Sequence, residues 1–118
     1  MTKDKIQEVV DFDDIALELN RVIQIEGREI ITKGFMQSDI RKSLRIYVKS
    51  GDHNPTHFHV ESKQRKYDQK FTTDSIINIS KYQDNRFDAY IKKFFRDRLD
   101  FLKKIEKEFY KLNPELSL

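Results

Sequence analysis

The last third of the chain constrains its fold most. From Arg86 to about Leu112, apolar residues recur at Phe87, Ile91, Phe94, Phe95, Leu102, Ile105, Phe109 and Leu112. Steps of three, four and seven place them on one face of a helix. Asn85 can cap that helix, and Asp88 in its first turn suits the positive end of the helix dipole. Pro114 keeps it from continuing far. At 1.5 Å per residue such a helix spans roughly 40 Å, enough to cross a small sheet. Its other face is basic, with nine Lys and Arg against five Asp and Glu between residues 86 and 111, and reads as a solvated surface.

Upstream the period changes. Leu44, Ile46 and Val48 alternate with Arg45, Tyr47 and Lys49, the pattern of a half-buried strand. Ser50 to Pro55 reads as the turn that follows. In the next strand, about residues 57–62, Phe58 and Val60 point one way and His57, His59 and Glu61 the other. A polar turn at Ser62–Arg65 leads to a third strand, about Lys66–Thr72, that buries Tyr67 and Phe71. The first 22 residues are ambiguous between periods. Ile15, Leu19 and Val22 fit a helical stripe, while Ile15, Leu17 and Leu19 also alternate. The expectation is a helix to about Asn20, with Asp11 or Asp13 as a cap, and then a hairpin. That hairpin runs Ile23-Gln24-Ile25, turns at Glu26-Gly27, and returns through Arg28–Ile31, with Gly34 ending or bulging it. The fold class is then α+β: an N-terminal helix, a mainly antiparallel sheet of four or five strands, and a long C-terminal helix packed across it.

At 118 residues the chain is expected to be a single domain. Apolar residues make up 37% and charged residues 36%, so the nine Phe and five Tyr must carry much of the core. There is no Cys, which removes disulfides and thiolate metal sites. No run approaches the ~20 apolar residues of a membrane span, and no apolar h-region follows the N-terminus. A soluble, cytoplasmic protein with no membrane partner is the expectation. The net charge of +3 is uneven. Residues 1–20 hold two Lys against six acidic residues, leaving +7 on the remainder. That asymmetry suits an anionic partner such as RNA or DNA.

All three histidines fall within Asp52-His53-Asn54-Pro55-Thr56-His57-Phe58-His59-Val60-Glu61. Three readings stay open. As a metal site, His57 and His59 project from one strand face, His53 or Asp52 adds a third ligand and Glu61 a fourth. Imidazole with carboxylate suits zinc, iron, nickel or manganese. As an acid–base pair on a phosphodiester, His57 and His59 act with His53 and Asp52 assisting, and Arg45, Lys49 or Lys63 stabilise the phosphate. Such an arrangement would make a small metal-independent ribonuclease. In the third reading the segment shapes a tight turn, with Asp52 and Asn54 bonding to the backbone and Pro55 fixing φ. The histidine strand or the basic helix could equally serve as a surface for a protein or nucleic-acid partner.

Arg45-Ile46-Tyr47-Val48 followed by the histidine segment resembles the DUF4160 family of small prokaryotic proteins. The motif positions that correspond are Asp52, His53, Pro55, His57 and His59. The likeness extends more loosely through Lys66–Phe71 and the helix at 86–112, so residues 44–112 form the family-like core and residues 1–43 an N-terminal extension. Thr56 stands where the family usually has a second proline. The function of that family is undetermined. The resemblance implies a component of a toxin–antitoxin-like pair that engages a partner protein or nucleic acid.

Overall fold

The computed structural model describes residues 7–26 and 44–117. The chain runs β1 (Val9–Asp11), α1 (Asp13–Glu26), β2 (Arg45–Lys49), β3 (His57–Ser62), β4 (Tyr67–Thr72), α2 (Asp88–Arg96), α3 (Leu99–Leu112) and a closing 3-10 turn (Pro114–Ser117). The four strands form one antiparallel sheet in the order β1-β2-β3-β4. The fold is therefore α+β. Among the described residues, no helix is long and apolar enough to cross a membrane.

The core lies on one face of this sheet. Ile46, Val48, Phe58 and Val60 are fully buried there, as their alternation requires. Phe58 packs against Phe71 of β4 and Phe95 of α2. In α1, Ile15, Ala16, Leu19 and Ile23 make a continuous buried stripe. Asp13 and Asp14 lie in its first turn, where negative charge is favoured.

Four expectations change. The N-terminal segment is a short strand before it is a helix, because Val10 pairs with Val48 at the sheet edge. The strand expected at Ile23–Ile25 is the last part of α1. Leu19 and Ile23, four residues apart, are both fully buried, so the helical period prevails over local alternation. The turn at Gly27, the returning strand at Arg28–Ile31 and Gly34 lie outside the described residues.

The single helix expected over Arg86–Leu112 is two helices. The break falls at Asp97–Arg98, where Arg98 adopts φ −136° and ψ 63°. Arg98 occupies the position three and four residues beyond Phe95 and Phe94, where an unbroken helix would want an apolar side chain. Its guanidinium instead lies 4.2 Å from the Phe94 ring centroid, donates to the Phe94 carbonyl oxygen, and pairs with Glu18 of α1 at 2.6 Å. The break lets Ile91, Phe94 and Phe95 of α2 and Leu102, Ile105 and Phe109 of α3 all reach the core. Asn85 does not cap α2 through its side chain. The N-cap position is Phe87, with no side-chain cap bond, and Asn85 contributes its carbonyl to the N–H of Asp88.

After β4 the chain turns at Ile76 and comes back alongside it. Thr72 donates to Ile77 and Ile79 donates to Lys70, and Phe71 bridges to Asn78. This return carries Ser80, Lys81 and Tyr82 beside the outer face of the sheet, next to Lys70.

Candidate metal centre

The sheet face opposite the core is a grid of polar and aromatic side chains. Tyr47 stands opposite His59, which stands opposite Lys70. To one side Arg45, Glu61 and Asp68 form a row. To the other, His57 pairs with Thr72, and Lys49 follows Tyr47 on the same face of β2.

The β2–β3 turn folds back over this grid. Gly51 takes φ +83°, which glycine adopts without steric cost. Its N–H donates to Asn113 Oδ1 at 2.8 Å. Asn113 Nδ2 donates in turn to the carbonyls of Lys49 and Phe109. The turn is therefore tied to the end of α3, and Asp52 is held above the two imidazoles. The Asn54–Pro55 peptide bond is cis.

Asp52 Oδ2 lies 3.0 Å from His59 Nε2 and 3.2 Å from His57 Nε2. The His59 contact is a hydrogen bond. The His57 contact is off line, and His57 Nε2 is buried with no hydrogen-bond partner. His57 Nδ1 lies 2.8 Å from the carbonyl oxygen of Pro55. A carbonyl only accepts, so Nδ1 carries the proton. The lone pair of neutral His57 is then on Nε2, facing a carboxylate oxygen. A buried polar atom left in this way costs about 1–3 kcal/mol. A cation between the groups removes that cost.

The donor geometry suits such an ion. Metal bonds of ~2.0–2.1 Å in a tetrahedron separate neighbouring ligand atoms by roughly 3.3 Å. Two edges of the group already measure 3.0 and 3.2 Å. All three ligand atoms lie within 4.8 Å of one another. The side chains of His57, His59 and Asp52 are only 5%, 6% and 10% exposed.

Burial holds the pKa of His59 below the usual imidazole value, helped by His57 and Lys49 and opposed by Asp52. His59 is thus neutral near pH 7, the state a metal ligand needs. Tyr47 stacks on it with ring centroids 4.7 Å apart and planes 8° from parallel. The Arg45 guanidinium lies 4.1 Å from the Tyr47 centroid. Phe109 packs against His57 with centroids 5.5 Å apart. These contacts fix both imidazole rings in orientation.

The structure thus brings together Asp52, His57 and His59 and leaves out the other expected residues. His53 is exposed and is not in the group. Glu61 shares the face of His59 but pairs with Arg45 at 3.6 Å. Arg45 is further engaged by Asp11. Lys49 reaches the neighbourhood of His59, whereas Lys63 is exposed in the turn beyond the far end of β3. Sequence reasoning missed Tyr47, Phe109 and Asn113. The face of Tyr47 was legible from its alternation with Arg45 and Lys49. Nothing in the sequence tied Asn113 to the turn.

Compared with known proteins, the chain matches no family model, no curated protein and no solved structure.

Proposed function

We propose that this protein binds a divalent transition metal, zinc foremost, through His57 Nε2, His59 Nε2 and the Asp52 carboxylate. The observation that carries this reading is the buried, unpartnered Nε2 of His57 beside Asp52 Oδ2. The bond from His57 Nδ1 to the Pro55 carbonyl is the outer contact that typically orients a ligating imidazole and raises its basicity. Two imidazoles and one carboxylate also form a donor set that leaves coordination positions free for a further ligand. To ligate through Nε2, neutral His59 must carry its proton on Nδ1 rather than share it with Asp52, and binding weakens at low pH, where protons compete with the metal for the imidazoles.

A metal-independent acid–base pair is the weaker reading. It needs imidazole nitrogens presented to a substrate. Here both Nε2 atoms face Asp52, and His57 Nδ1 is held by Pro55.

The test is elemental analysis. Untagged protein is stripped with a chelator, dialysed against Zn²⁺ at neutral pH and freed of excess ion. Roughly one ion per chain is expected. His57→Ala and Asp52→Asn should lose it and His53→Ala should keep it, with circular dichroism checking the fold of each. Wild-type protein without stoichiometric metal, or His57→Ala retaining as much as wild type, overturns the proposal.

A further inference from the structure

We infer that the groove beside His59 binds the phosphate backbone of a single-stranded nucleic acid, with Lys49, Lys70 and Lys81 as its cationic wall and Tyr82 as a platform for a base. As a statement of what approaches the metal, this rests on the metal reading. As a statement of binding, it does not.

The groove encloses about 280 Å³ and is lined by Tyr47, Lys49, His59, Asp68, Lys70 and Tyr82, with Ser80 and Lys81 completing one wall. That lies just under the ~300 Å³ at which pockets begin to engulf a small molecule whole. It suits one unit of a longer chain that passes across the surface. Three lysines line the groove against one acidic residue, Asp68. Lys49 and Lys70 form no ion pair among the described residues, and the nearby Arg45 is already committed to Asp11 and Glu61. The unneutralised charge therefore belongs to the lysines of the groove. Flexible ammonium groups of this kind contact phosphates as point charges.

Tyr82 supplies the second component. Tyr82 is 79% exposed, so its ring is open to an incoming base. Lys81 Nζ lies 5.4 Å from its ring centroid, joining charge to a flat π surface. Alternating cations and exposed aromatics are the components by which proteins hold single strands, because every base offers a π face. The ring of Tyr47 is already stacked on His59, which leaves Tyr82 as the available platform. A larger depression of about 440 Å³ near the start of α1 is lined by Asp11, Asp13, Asp14 and Glu108 with Lys104. Its charge repels the same ligand.

The experiment is fluorescence anisotropy with a labelled single-stranded RNA and with a duplex of the same length, at low and moderate salt. Each is titrated with chelator-treated and with Zn²⁺-loaded wild-type protein. The double reversal Lys70→Glu/Lys81→Glu should weaken single-strand binding about tenfold or more and reduce the salt slope by ~0.7 for each phosphate that is no longer neutralised. Tyr82→Ala should weaken it roughly fivefold or more. Lys103→Glu/Lys107→Glu, an equal charge change on exposed positions of α3, should have less than about a twofold effect, because it leaves the phosphate-binding lysines in place. Single strand should be preferred over duplex. Absence of binding at low salt, equal weakening by the helix reversal, or no effect of Tyr82→Ala overturns the inference. Binding by chelator-treated protein that takes up no metal supports the groove and removes the metal. Metal uptake without RNA binding does the reverse.

Discussion

The side-chain oxygen of Asn113 accepts a hydrogen bond from the backbone N–H of Gly51, 62 residues earlier in the chain. That bond, with those from Asn113 Nδ2 to Lys49 and Phe109, joins the end of α3 to the turn that carries Asp52. Asn113 is fully buried. Asn113→Ala strands the N–H of Gly51 and the carbonyl of Lys49, and is expected to cost about 2–4 kcal/mol of stability. By loosening Asp52 it should also weaken Zn²⁺ binding about tenfold or more, the effect of removing an outer-shell partner. Urea melts and competition with a chromogenic chelator measure the two separately. A stability loss with unchanged metal affinity would show that the turn holds Asp52 without this tether.

Gly51 itself is the next position. A Cβ placed there meets Gln7 Nε2 at 3.7 Å, an ordinary contact, so space is not the obstacle. The obstacle is φ +83°. Gly51→Ala should destabilise by about 1 kcal/mol: ~1–2 kcal/mol of left-handed strain, partly offset by the lower entropy of the unfolded chain. A denaturation midpoint equal to wild type would contradict the turn geometry.

Tyr67 offers a change in the other direction. Burial pushes its hydroxyl pKa well above the usual phenol value, with Asp88 and Asp84 adding to the effect. The oxygen is buried without a hydrogen-bond partner, while the ring packs edge-on to Phe87. Tyr67→Phe keeps that packing and removes the unsatisfied group, so a gain of up to about 1 kcal/mol is expected. A loss of more than about 1 kcal/mol, the typical worth of a hydrogen bond, would mean that the hydroxyl has a partner.

Acid should destabilise the metal-free protein through His59. Its folded pKa lies below the ordinary value of about 6.5. Between the two values the unfolded chain binds more protons than the folded one, so stability rises with pH across that window. The contribution is complete above the unfolded value and is lost as pH falls toward the folded one. Comparing urea midpoints near pH ~7.5 and ~5.5 should show a larger loss in wild type than in His59→Gln. Equal losses would mean that His59 titrates normally.

Much of this architecture was readable from side-chain period. The alternation of β2 and β3 placed Phe58 and Val60 in the core and set His57 and His59 on the opposite face. The residues that failed are those whose role depends on distant chain. Arg98 breaks the last helix because Glu18 and the Phe94 ring give its guanidinium a place, and no local pattern reports Glu18. Ile23 reads as strand when only Ile25 is compared with it, and as helix once Leu19 is known to be buried. In the site, two histidines were legible from period 2. Asp52 could be chosen over His53 only after the turn was tied to Asn113.

The measurement that bears most directly on the metal centre is anomalous diffraction from a Zn²⁺-loaded crystal, recorded at the zinc edge. The expected result is one peak within about 2.0–2.2 Å of His57 Nε2, His59 Nε2 and an Asp52 carboxylate oxygen, with His57 Nδ1 still donating to the Pro55 carbonyl. No peak at that position, with His57 Nε2 instead hydrogen-bonded to Asp52, would contradict it.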